Sequence, residues 1–197
     1  CSTLGLYQIA GINTNGYGNL FTIPTREYIS KLAGLIQSIQ VSLSAKKPVL
    51  EVCAGDGFLS TCLQEAGIQI RAVDDRSTQA RHSCGYDSRA CVEKLEAIKA
   101  IKTYKPDIVV AAWIPYESTL DVRLAKSPIK YLILIGEGAG GCTGSEEIWK
   151  SPHTDPDIDR DQDGPINFCR TAYQGTPHNY TTLFLGAEHP ERRKRTR

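Results

Sequence analysis

The hydrophobic and polar positions divide the chain into segments with two rhythms. Over 25–43, Tyr28, Ile29, Leu32, Leu35, Ile36 and Ile39 recur at helical spacing, which predicts one helix with a single apolar face. Pro24 and Thr25 stand at its start, where a missing N–H and a capping hydroxyl are both useful. After Lys46-Lys47-Pro48 the rhythm changes. Short apolar runs at 49–53, 68–73, 107–112 and 131–135 predict strands, with a weaker one around Cys91 and Val92. Helices are predicted over 58–66 and 93–104, and a loop with a poor helix over 115–124. Strands apolar on both faces that alternate with helices predict an α/β fold, a parallel sheet with helices on both faces. Residues 136–165 are rich in Gly, Pro and Asp and read mostly as loop. Residues 166–173 and 180–187 read as two strands joined through Gln174-Gly175-Thr176-Pro177 into a C-terminal antiparallel hairpin.

Composition narrows this picture without changing it. The 197 residues suffice for one domain with its own core, here 23–187, preceded by a polar arm over 1–22 and followed by a basic tail over 188–197. Net charge is +1, and the tail carries five Lys and Arg against two Glu, net +3, which leaves 1–187 at −2. A strongly basic nucleic-acid binder and an acidic disordered chain are both excluded as classes. The tail reads as a solvated end, with phosphate binding or an import signal as alternatives. Seven Cys without a C-x-x-C pair, and four scattered His, predict neither a disulfide scaffold nor a metal site. The longest apolar run, 108–114, is too short to span a bilayer, and no charged-then-apolar segment opens the chain. The expectation is a reduced, cytoplasmic protein with no membrane partner; its oligomeric state is open.

Candidate chemistry concentrates in Glu51-Val52-Cys53-Ala54-Gly55-Asp56-Gly57-Phe58, at the end of the first of these strands and the start of a helix. Open α/β sheets bind ligands at that edge. The spacing is G-x-G, without the third Gly of a dinucleotide fingerprint, and an acid lies four residues before Gly55. A carboxylate there would oppose a phosphate at the helix end and suits a cationic or amine-bearing ligand. Asp74 and Asp75 end the next strand, placed to accept from both hydroxyls of a ribose. The pattern points to a nucleoside that carries an amino acid rather than a pyrophosphate. The competing reading is an ordinary tight strand-to-helix turn.

This stretch, VLEVCAGDGFLSTCLQEAGIQIRAVDD, resembles the first two motifs of the class I S-adenosylmethionine-dependent methyltransferases, with Cys53 in place of the first Gly. The resemblance extends over about 23–135. It implies a Rossmann-like fold and S-adenosyl-L-methionine as cofactor, held by Glu51, Cys53, Ala54, Gly55, Gly57, Asp74 and Asp75. It also implies Glu96 near the adenine. The segment 18–28, with Thr22 and Pro24, is similar to one that packs over the cofactor in amino-directed DNA methyltransferases. Those enzymes carry Asn- or Asp-Pro-Pro-Tyr after the fourth strand. Here the place reads Trp113-Ile114-Pro115-Tyr116, so Pro and Tyr are kept and the polar acceptor is replaced by Trp. Trp113, Pro115 and Tyr116, with Glu117, become the acceptor-side candidates. The departure favours a small-molecule or protein methyl acceptor over nucleic acid. The alternatives are a non-catalytic cofactor-binding or regulatory module of the same fold, a nucleic-acid amino-methyltransferase, and a nucleotide-dependent oxidoreductase. Glu51 and the absent third Gly count against the last.

Two further stretches carry weaker signals. Asp159, Asp161, Asp163 and Gly164 match the first half of an EF-hand loop, but Arg170 stands where a bidentate Glu is needed. A solvated acidic loop is expected rather than a calcium site. Cys142 lies in the Gly-rich loop after the fifth strand, where a loop over a substrate is expected ahead of a catalytic thiolate, and Glu137 there could shape the acceptor pocket.

Overall fold

The helix expected after Pro24 forms as α1 (Arg26–Leu43). Thr25 caps it, its Oγ1 accepting from Tyr28 N at 3.1 Å, and Ser44 ends it in a left-handed conformation. Its apolar stripe buries Tyr28, Ile29, Leu32, Ala33, Ile36 and Ile39, and each fully buried Leu or Ile stabilises by roughly 1.5–3 kcal/mol. The computed structural model describes residues 22–55, 57–75, 92–139, 141, 143–156, 158, 166–167 and 180–195.

Past α1 the chain alternates as predicted: β2 (Val49–Val52), α2 (Phe58–Glu65), β3 (Ile70–Asp74), β4 (Val92–Lys94), α3 (Ala97–Tyr104), β5 (Ile108–Ala112), α4 (Leu120–Ala125) and β6 (Tyr131–Gly136). A 3₁₀ turn (Glu146–Lys150), β7 (His153–Thr154), β9 (Tyr180–Leu185) and α5 (Pro190–Arg195) complete it, while β1 (Thr22–Ile23) and β8 (Ile166–Asn167) form a separate two-stranded ribbon. The main sheet runs β4-β3-β2-β5-β6-β9-β7. The first five strands of that order are parallel, and β9 is antiparallel to both β6 and β7.

Period-two alternation sends residues to two cores. Val49, Ile70, Ile108, Val110, Ile133 and Ile135 pack under α1 and α2. Leu50, Val52, Val109, Ala111, Leu132 and Leu134 pack under α3 and α4 on the other face. The α/β sandwich with helices on both faces is therefore as the pattern predicts. Among the described residues no helix is long and apolar enough to cross a membrane.

Two expectations change. The antiparallel strands at the C-terminal end are present, and among the described residues they pair with other strands rather than with each other. β8 pairs with β1, and β9 inserts between β6 and β7, with Thr181 opposite Ile135. β5 occupies one edge of β6 and β9 takes the other; local pattern does not say which segment closes that edge. Within 136–165, read as mostly loop, the described residues add a 3₁₀ turn and the short β7. The basic tail is not simply a solvated end. Arg192 donates from Nη1 to Leu185 O at 2.8 Å and Ala125 O at 3.2 Å, which docks the start of α5 at the N-terminal edge of the sheet. The segments 174–177 and 159–163, and Arg170 with them, lie outside the described residues.

His189 seals the same corner. Its Nδ1 accepts from Glu191 N at 3.3 Å, so Nε2 carries the proton and faces the Tyr131 hydroxyl at 2.8 Å. Burial pushes the imidazole below its ordinary pKa, with Glu191 pulling partly back. Charging it would add a proton where Nδ1 now accepts. A folded value below the unfolded one gives stability that is full above about pH 6.5 and lost as pH falls through the folded value. Urea titrations between pH 8 and 5 should show declining stability, with a shallower decline in His189→Gln; equal slopes would remove His189 from the acid response.

Candidate active site

The site begins with an interruption of β2. All four residues of β2 are buried, and Glu51 is 2 % exposed although it is an acid. Its carboxylate Oε2 accepts from the Ser60 hydroxyl in the first turn of α2. A buried carboxylate needs such partners, since desolvation without them costs several kcal/mol. Between strand and helix the backbone turns left-handed at alternate residues: Cys53 at φ 56°, Gly55 at 58° and Gly57 at 83°. The αL region costs a β-carbon residue of order 1 kcal/mol, so Cys53 holds strained backbone at the place where the resemblance has glycine. Gly57 is the N-cap of α2 and supplies no side-chain cap. The helix N-terminus is thus not closed by its own cap side chain.

The acids predicted from the strand ends gather around this turn. Asp74 Oδ2 accepts from Gly55 N at 3.0 Å, locking the β3 end onto the turn. Burial, and after it the fields of Asp74, Asp75, Glu51 and Glu96, push the Cys53 thiol up to about 12. Glu96 is placed two residues past β4, as the resemblance implies, but its carboxylate turns to its own helix. It caps α3 by accepting from Lys99 N at 2.9 Å and lies 3.5 Å from Arg123 Nη2. Thr22 sits in the β1–β8 ribbon opposite Asn167. Ala54 is buried and donates its N–H to Val73 O at 3.1 Å.

The acceptor-side candidates occupy the next strand end. β5 lies beside β2, so Trp113 follows directly on the strand paired with the one that carries Glu51. Trp113 is half-buried with φ 53°, Glu117 has φ 58°, and Tyr116 is 62 % exposed. Strained bulky residues persist only where surrounding structure over-determines them, at a cost of about 1–3 kcal/mol each. Trp113 N donates to Ile135 O at 2.8 Å, and Ile114 O accepts from Gly144 N at 3.0 Å. Beyond β6, Glu137 is 5 % exposed. Its N–H donates to Thr143 Oγ1 at 2.8 Å, and that hydroxyl donates to Glu137 O at 3.0 Å. Cys142 and Asp56 lie outside the described residues. Among the described residues no cluster of His, Cys, Asp and Glu could hold a metal ion. A groove of about 660 Å³ between α1 and α2, lined by Ile29, Ala33 and Cys62 among others, is separate from these strand-end groups.

Sequence reasoning missed Ser60 and Asp121. Ser60 is one turn from Gly57 and could have been found as the hydroxyl a buried strand acid requires. Asp121 lies in a weakly patterned helix, and only tertiary contact gives it meaning.

Strands β2, β3 and β4 step away in one direction and β5 and β6 in the other, so the Gly turn and the Trp113 loop flank the point where strand order reverses. The fold is thus a doubly wound α/β domain, and the candidate residues stand at the switch point where such sheets hold their ligands. No family model and no curated protein matches the chain. Similar solved structures include WbdD in complex with a kinase inhibitor, at 13 % identity and TM-score 0.42, over 79 % of this chain and 40 % of that one. They also include a dimethyladenosine transferase from Plasmodium falciparum, at 19 % identity and TM-score 0.38, over 77 % of this chain and 60 % of that one. This chain therefore spans less than two thirds of either protein, and likenesses of this size carry no chemistry from them to it.

The thiol provides a check on the burial of this turn and on the acids around it. With a pKa of about 12, only about one Cys53 in ten thousand is thiolate at pH 8. Iodoacetamide at pH 8 should leave Cys53 unmodified in the folded protein and label it in urea, as read by peptide mass spectrometry. Labelling at the rate of a free thiol would mean that Cys53 is neither buried nor crowded by the carboxylates.

Proposed function

We propose that this domain is an S-adenosylmethionine-dependent methyltransferase. The carrying observation is the acid-ringed turn: left-handed backbone at Cys53, Gly55 and Gly57 beside the buried Glu51, with Asp74 locked across it. Gly at 55 and 57 lets a ligand come close to the main chain. A pyrophosphate would meet the surrounding carboxylates as like charge, whereas a cationic nucleoside would be attracted. A carboxylate has about four acceptor sites, so Asp74 can receive ribose hydroxyls while it keeps Gly55 N. The bound cofactor would supply a methyl group on a sulfonium.

The chain's own task is then alignment and exclusion of water, which contributes through proximity rather than acid–base chemistry. Trp113, Pro115 and Tyr116 are the groups against which the acceptor would lie. Three features favour a small-molecule or protein acceptor over nucleic acid. Residues 113–116 contain no amide or carboxylate to accept from a base amine. Residues 1–187 net −2, with no clustered Lys and Arg to track phosphates. Arg192, at the start of the basic tail, is bonded to carbonyls at the opposite edge of the sheet.

Calorimetry with S-adenosylhomocysteine should show saturable binding, weakened by about 1–3 kcal/mol in Asp74→Ala, because ribose hydroxyls lose a charged acceptor. Unchanged affinity would remove Asp74 from the site, and transfer of labelled methyl to small-molecule and protein pools tests the activity itself. In gel-shift titrations across salt, nucleic acid should bind weakly and without saturation. Tight binding with a steep salt slope, lost on deleting 192–197, would reverse the acceptor ranking.

A further inference from the structure

The strain at Trp113 raises the question of what holds it. One anchor is the strand pairing, Trp113 N to Ile135 O at 2.8 Å. A second is the Gly144 N–H on Ile114 O at 3.0 Å, next to Thr143, whose hydroxyl bonds the backbone of Glu137. The loop of Gly144 is seated by Asp121. Asp121 lies in the first turn of α4 and is 0 % exposed. Its Oδ2 accepts from Ser145 N at 2.6 Å, its Oδ1 from Val122 N at 2.7 Å, and the Ser145 hydroxyl donates to both oxygens at 3.0 and 3.2 Å. Gly144 packs so closely on the carboxylate that any β-carbon there would collide with it, and its φ is 61°.

We propose that Asp121 is a positioning residue for the acceptor rim. It seats Gly144 and Ser145, and Gly144 holds Ile114, so that Trp113 keeps its left-handed conformation beside the switch point. This rests on the reading of residues 113–116 as the acceptor side, and Asp121 itself touches no substrate. The chemistry explains why the residue is Asp. Both oxygens must accept, each from a backbone N–H of a different element, and the Ser145 hydroxyl adds a third donor. An Asn amide would aim an N–H₂ at one of those N–H groups and lose that bond. Ser145→Ala removes only the hydroxyl, so the series is graded.

The test uses the full chain with Trp149→Phe, which leaves Trp113 as its sole Trp. Acrylamide quenching reports how tightly Trp113 is held, and calorimetry with S-adenosylhomocysteine reports the cofactor half of the site. Asp121→Asn and Gly144→Ala should each raise the Trp113 quenching constant at least about two-fold, with Ser145→Ala in between. The affinity for S-adenosylhomocysteine should stay within about two-fold of the parent. Unchanged quenching in folded variants overturns the proposal. So does a rise in quenching matched by an equal loss of nucleoside affinity, since the network would then hold the whole edge and not the rim. If Asp121→Asn does not fold, Gly144→Ala and Ser145→Ala decide by the same criteria. A parent that binds no S-adenosylhomocysteine sinks the methyltransferase reading alone, and the quenching series still decides whether Asp121 seats Trp113.

Discussion

The pairing of β2 with β5 is the constraint on which the rest depends. Leu50 faces Val109 and Val52 faces Ala111, in parallel register and buried on both sides. From this pair the chain builds outward in two directions, to β3 and β4 on one flank and to β6 on the other. The loops that leave β2 and β5 therefore stand at the point where strand order reverses, the place where open α/β sheets bind ligands. No other junction in the parallel part of the sheet has this property. The conformationally strained residues at the strand ends flank it.

That strain has a structural counterpart. Cys53 and Trp113 both take backbone angles that a side chain disfavours, and both stand one residue beyond a central strand. Each is pinned by neighbours whose positions are set elsewhere. The Cys53 turn is fixed by Asp74 from β3 and by Ser60 beneath Glu51. The Trp113 loop is fixed by β6 and, through Gly144, by Asp121 on α4. A compact sheet with two helix layers supplies the rigidity against which such strain can be held.

Charge placement follows the same division. Carboxylates collect at the C-terminal edge of the strands, where they add to burial in lifting the Cys53 pKa, while the start of the basic tail docks at the opposite edge. The near-zero net charge of the chain therefore conceals an acidic end, and that end carries the Gly turn and the Trp113 loop. Under the proposed function, this polarity would favour a cationic ligand by its field.

Much of this was legible in the sequence, because its causes are local. The apolar stripe of α1, the doubly buried runs of β2, β5 and β6, and the Gly turn between an acid and a helix are all patterns within a few residues. They determine the α/β layering and place Glu51, Gly55, Gly57 and Asp74 at strand ends. Other features depend on which distant segments meet, and only the tertiary structure decided them. β9 chose β6 and β7 over β8, because an antiparallel strand is specified by the edge that accepts it and not by its own alternation. Glu96 turned to cap α3, and Arg192 turned inward to carbonyls, because side chains go to the nearest unsatisfied partner. Asp121, in a short helix with no motif, became a buried carboxylate because Ser145 and Gly144 were folded against it. Hydrogen-bond partners far apart in the chain leave no periodicity for a sequence to show.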